Sequence, residues 1–113
     1  MPQLVARTPV SIASGGTVSS AVKVRGGLPA VSEMPAAWDA ANLTFQTSGD
    51  GVNFFNLYDE NGSEVTVTAA VSHRIRLDPS QWAGIAELKI RSGTAAAAVT
   101  QTADRTLYLE IWE

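Results

Sequence analysis

Apolar residues alternate with polar ones in short runs, and turn residues separate the runs. Val10 and Ile12 lie in a β-branched run that stops at Ser14-Gly15-Gly16. Val22 and Val24 alternate with Lys23 and Arg25 until Gly26-Gly27, and a third apolar run extends from Leu28 to Val31. Leu43 and Phe45 alternate with Thr44 and Gln46, then Ser48-Gly49-Asp50-Gly51 supplies a turn. A period of two puts one face of a strand in a core and the other in water.

The second half continues the pattern. Residues 52–58 read as an aromatic-rich strand closed by Asp59-Glu60-Asn61-Gly62, with Val65 and Val67 on the returning strand. Asn-Gly is a strong hairpin signal because both residues tolerate positive φ. Val71, His73, Ile75 and Leu77 share one face of the next run, opposite Ser72, Arg74 and Arg76. Asp78 is placed to cap one helical turn starting at Pro79, with Trp82 as its apolar anchor. Leu88 and Ile90 alternate with Lys89 and Arg91, and the last run sets Leu107, Leu109 and Ile111 against Tyr108, Glu110 and Trp112. Residues 35–41 are the main helix candidate, and Ala95 to Ala98 is too brief to nucleate a helix, so it reads as a loop or a bulged strand. No repeat or linker interrupts the chain. The expected fold is all-β: one β-sandwich or jelly roll of about seven to nine mostly antiparallel short strands over residues 1–113, with residues 1–9 as a candidate extended arm.

Composition fits this picture. The 113 residues suit one domain, and a hydrophobic content of 45% supplies a core. There is no cysteine, which excludes a disulfide framework, a thiolate nucleophile and a cysteine zinc site. The formal charge is −3 with no basic stripe, which argues against a nucleic-acid partner. The longest apolar stretch, Ala95–Val99, is too short to span a bilayer. Met1-Pro2-Gln3 opens no signal-peptide pattern, so synthesis in the cytoplasm is expected.

Candidate chemistry is sparse. His73, the single histidine, reads as a partly buried or edge residue, because Ser72 beside it points to the opposite strand face. Asp39, Asp50, Asp59, Asp78 and Asp104 mark turns or strand ends, where aspartate bonds nearby backbone amides. Residues 59–64 lack the alternation and length of a calcium loop, and the glycine pairs lack phosphate-loop spacing. No catalytic residue, cofactor or metal site is expected. Tyr108 and Trp112, on the outward side of the last strand, are candidates for a protein interface, whereas Trp38 and Trp82 read as plugs at the ends of the sandwich.

Two resemblances add to this reading. Leu43 to Phe54, with Ser48-Gly49-Asp50-Gly51 and the aromatic Phe54 three residues on, resembles the strand–turn–strand of galactose-binding-type jelly rolls such as discoidin domains, and Leu88-Lys89-Ile90-Arg91 resembles their later strand. Met34-Pro35-Ala36-Ala37-Trp38, Leu43 to Phe54, Leu57-Tyr58-Asp59, Leu77-Asp78-Pro79, Leu88 to Thr94 and Gln101 to Leu107 follow the order of motifs in small β-rich structural proteins of tailed bacteriophages. That group includes capsid cement or decoration proteins, which sit on the head shell.

The phage resemblance implies a non-catalytic virion subunit, made in the bacterial cytoplasm and located on the capsid surface. It would stabilise the shell by bridging capsid subunits, with the major capsid protein and its own copies (a dimer or trimer) as partners. Interface candidates are Leu4 and Val5 on the N-terminal segment, Arg74 and Arg76 as an outward row for acidic neighbours, and Tyr108 and Trp112. The alternatives are a jelly-roll carbohydrate-binding module using Trp38 or Trp82 as its stacking surface, and a tail or head–tail subunit.

Overall fold

The computed structural model describes residues 4–24, 27–78, 81, 82 and 84–112, with only the backbone of Leu4 and Val5. Eight strands form in chain order: β1 (Leu4–Ile12), β2 (Val22–Lys23), β3 (Leu28–Glu33), β4 (Leu43–Ser48), β5 (Phe55–Asn56), β6 (Arg74–Arg76), β7 (Glu87–Ser92) and β8 (Arg105–Trp112). They make two four-stranded sheets, ordered β1-β8-β3-β6 and β2-β7-β4-β5, in which every neighbouring pair is antiparallel. The first strand pairs with the last, the second with the seventh, the third with the sixth and the fourth with the fifth. The chain is thus a single long antiparallel hairpin rolled into two layers, which is jelly-roll connectivity.

Alternation within the strands supplies the core between the sheets. Val10 of β1 opposes Leu107 of β8, Phe45 of β4 opposes Ile90 of β7, and all four side chains are buried. Leu107, Leu109 and Ile111 face inward as their spacing requires. Trp82 fills one end of the core with its ring edge against Phe45, centroids 4.6 Å apart. Trp38 is also buried, and its indole N–H donates to the Ala41 carbonyl at 3.0 Å. Residues 35–41 form bends and no helix. They are held by fully buried Gln101, whose amide nitrogen donates to the Asp39 carbonyl and to Ser92 Oγ, and by Arg105, which donates to Asp39 at 2.6 Å.

Three stretches differ from the expected alternation. Only Phe55–Asn56 of residues 52–58 is strand, because Asp50 Oδ1 accepts from the Val52 and Asn53 amides, both at 2.8 Å, and curls the chain there. His73 is exposed and precedes β6. Ser72 has φ 59°, a turn conformation that breaks the run from Val71 to Leu77. Residues 4–9 pair with β8 of the same chain, across an irregularity between Leu4 and Ala6.

Candidate interaction surface

The two outer faces of the sandwich are finished differently. On the β1-β8-β3-β6 sheet, Arg7, Glu33, Arg74 and Glu110 come together from four adjacent strands. Arg74 donates to both oxygens of Glu110, at 2.9 and 3.0 Å, and to Glu33 at 2.7 Å, while Arg7 also bonds Glu33. The Arg74 bonds hold the Glu110 carboxyl below its ordinary value. Arg7 also lies over the Tyr108 ring, 3.8 Å from its centroid. Two cations and two carboxylates thus satisfy one another on this face, and Tyr108 and Trp112 are half-buried.

The outer face of the other sheet is covered by its own chain. Thr44 and Arg91 point outward by strand parity yet are buried, because residues 53–64 fold back across them; Ser48, also outward and buried, donates to Asp50 Oδ1 and accepts from the Gly51 amide of its own turn. Arg91 is the fastener. Its side chain is 8% exposed, and it donates to Thr44 Oγ1 at 3.0 Å, to Asn56 Oδ1 at 2.9 Å and to Glu64 at 3.1 Å. Beside it, the Lys89 ammonium sits 4.4 Å from the centre of the Phe54 ring.

This fold-back creates an open flank. Direct antiparallel partners share a sheet face, so the inward residues of β4 are matched in a row: Leu43 with Val67, Phe45 beside Leu57, and Thr47 with Phe55. Val67 and Leu57 pack against the core. Phe55 continues the row past the edge of the sandwich and remains 70% exposed. Val52 is 79% exposed in the preceding turn, and Tyr58, 51% exposed, pairs with Glu64 and so lies on the face opposite Phe55.

The turns before and after β5 carry acidic residues. Asp50, Asp59 and Glu60 are all exposed. The hairpin of residues 57–65 and Gln81 enclose a cleft of about 540 Å³, lined by Leu57, Tyr58, Asp59, Glu60, Asn61, Val65 and Gln81. Asp59 Oδ1 accepts from the Asn61 and Ser63 amides at 2.8 and 3.0 Å, and Gly62 takes φ +83° as its place after Asn61 requires.

No family model, curated protein or solved structure matches the chain. The site therefore stands on its own geometry. Among the described residues no group of three His, Asp or Glu side chains is placed to hold a metal ion, and no helix is long and apolar enough to cross a membrane.

The residues expected at an interface fall in different places. Leu4 and Val5 lie on β1, and their side chains lie outside the described residues. Arg74 is bound by Glu33 and Glu110 of its own chain, whereas Arg76 is exposed and lines an open pocket of about 560 Å³ with Ala30, Leu77 and Asp78. Trp38 and Trp82 are buried in the core, so neither presents a ring face to a sugar. Sequence reasoning passed over Val52 and Phe55. The sequence carried no signal for this, because the run of residues 52–58 is no shorter than the six-residue central strands β4 and β7.

Proposed function

We propose that the protein is a non-catalytic structural subunit of a tailed-phage virion, a cement protein that stabilises the head shell by bridging capsid subunits. The observation that carries this reading is the Phe55 flank. Phe55 continues the inward-facing row of β4 partners past the end of the core and stays uncovered. Exposed apolar residues mark association sites, and the turns before and after β5 carry exposed Asp50, Asp59 and Glu60, so a covering surface that reaches them brings cations.

The rest of the molecule suits a subunit that presents this flank. Arg91 holds the fold-back in place from beneath, and the ion-paired face of the other sheet is charge-balanced within the chain. Jelly rolls build viral capsid and lectin domains alike, so fold alone does not choose between a shell component and a sugar binder. The buried tryptophans weigh against the sugar-binding alternative in the form that uses them as platforms. The order of phage-like motifs, from Met34-Pro35 to Gln101-Thr102, weighs towards the particle.

The test is mass spectrometry of purified particles of the phage that encodes the chain. The proposal expects the protein in a fixed ratio to the major capsid protein. Its absence from the particles would refute the assignment.

A further inference from the structure

We infer that Asn61-Gly62 is a self-modification site, where the Asn61 side chain is deamidated by attack of its own backbone, and that Asp59 holds the site shut in the folded chain. The chemistry is independent of where the protein assembles.

The residue pair carries the reaction. The Gly62 backbone nitrogen gives up its proton, attacks Asn61 Cγ and closes a succinimide ring. The Cγ–Nδ2 bond breaks, and the amide nitrogen leaves as ammonia with that proton. Water then opens the ring at either carbonyl, which leaves aspartate or, where the backbone now runs through Cγ, isoaspartate. Intramolecular attack is fast wherever the nitrogen can reach the carbon, and glycine has no Cβ to obstruct the approach. The chain has four asparagines: Asn42, Asn53 and Asn56 precede Leu43, Phe54 and Leu57, and Asn61 alone precedes a glycine.

Hydrogen bonding separates Asn61 from the other three. Asn42 Oδ1 accepts from the Ala69 amide at 3.2 Å, Asn53 Nδ2 donates to Asp50 at 2.9 Å, and Asn56 Oδ1 accepts from Arg91 at 2.9 Å. The Asn61 side chain is exposed and its amide group makes no hydrogen bond among the described residues. Beyond the two chain neighbours of Gly62, no described residue comes within 4 Å of the place its Cβ would take. Water and base therefore reach the pair freely.

The hairpin is what holds the reaction back. Gly62 donates its N–H to the Asp59 carbonyl at 3.0 Å, so the attacking nitrogen has its proton engaged across the turn. Asp59 Oδ1 accepts from the Asn61 and Ser63 amides at 2.8 and 3.0 Å, and the Asp59 amide donates to the Ser63 carbonyl at 2.8 Å. With Gly62 at φ +83°, residues 60–62 form the hairpin loop of a type I turn followed by a left-handed residue. Such a turn sets ψ of Asn61 near about 0°, and bringing the Gly62 nitrogen over the Asn61 side chain takes a rotation of about 120°. That rotation breaks the Gly62 and Ser63 bonds to Asp59, so the folded rate is the rate of the open loop scaled by the fraction of time it is open. The product carries another carboxylate beside Asp59 and Glu60, and isoaspartate adds a methylene to the loop. Conversion is thus a one-way record of hairpin opening.

The test follows conversion at each asparagine by peptide mapping with mass spectrometry, in the full chain kept in warm, mildly alkaline buffer. Native wild type is compared with wild type unfolded in guanidinium chloride and with native Asp59→Ala and Asp59→Asn. The unfolded chain should convert at Asn61 before any other asparagine, and the native chain at least about tenfold more slowly. Asp59→Ala removes two bonds to a charged acceptor and should quicken the native reaction about tenfold, whereas Asp59→Asn keeps an oxygen acceptor and should stay within about threefold of wild type. Asp59 is exposed, and the dispersed NMR spectrum of each variant confirms its fold. Equal rates in native and unfolded wild type would overturn the protection, a comparison that needs no variant. Natively folded Asp59→Ala as slow as wild type would overturn the role of Asp59, and earlier conversion of another asparagine in the unfolded chain would overturn the site itself.

Discussion

Replacing Arg91 with methionine tests how the candidate surface is held. The substitution keeps most of the side-chain volume and removes three donated bonds, to Thr44, Asn56 and Glu64. Breaking a buried ion pair by deleting one partner costs about 3–5 kcal/mol, most of it from the charge left behind. Glu64 is 17% exposed and keeps the Ala95 amide as a donor, which places the expected loss at the lower end, about 3 kcal/mol. With a urea slope of about 1.5 kcal/mol per molar, that lowers the unfolding midpoint by about 2 M. Adding Glu64→Gln to Arg91→Met removes the stranded carboxylate and should recover about half of the loss. Hydrogen exchange at the Leu57 amide, which donates to the Phe45 carbonyl at 3.0 Å, should quicken more than exchange within β8. A loss below about 1 kcal/mol, or a double variant no more stable than the single one, would refute the role of Arg91 as the fastener.

Other outcomes follow from other parts of the fold. Ser32 is buried and its hydroxyl makes no hydrogen bond among the described residues, so Ser32→Ala should raise stability by about 1 kcal/mol in urea unfolding; a lower midpoint would contradict this. Gly93 has φ +89°, and an added Cβ would lie 2.6 Å from the Ala97 carbonyl oxygen and 2.7 Å from the Val99 nitrogen. Gly93→Ala should therefore cost at least about 2 kcal/mol, more than Gly62→Ala, whose surroundings are open; equal losses in thermal unfolding would show that the close approach is unimportant. The Glu110 carboxyl is held low by Arg74 first and Arg7 last. A depressed folded pKa stabilises above the unfolded value of about 4.3, and that contribution disappears as pH falls through the folded value. Glu110→Gln should thus be less stable than the parent at neutral pH and converge with it in acid, and a constant gap down to about pH 2 would exclude the ion pairs as the cause.

Alternation was enough to read most of the sandwich. In β1, β4, β7 and β8 the period-two pattern identifies the core-facing apolar residues, since a slip of one position would turn Leu107, Leu109 and Ile111 into water. Local pattern does not reveal what folds back over an outward face. Thr44 and Arg91 look solvated by parity, yet residues 53–64 bury them through contacts across tens of residues of chain. Turn chemistry also outweighed strand propensity. Asp50 curls residues 51–53, and Ser72 breaks the run that seemed to carry His73. The flank was hidden for a related reason: the inward parity of Phe55 suggests burial, and only the edge position of β5 leaves it exposed.

The most direct measurement is the thermal release of DNA from particles assembled without this protein and then supplied with it. Wild-type protein should raise the release temperature, and the Phe55→Ser variant, whose exposed substitution leaves folding within about 0.5 kcal/mol of the parent, should not. Restoration by Phe55→Ser equal to that by wild type would contradict docking through the Phe55 flank, and particles indifferent to the protein would contradict its role in the shell.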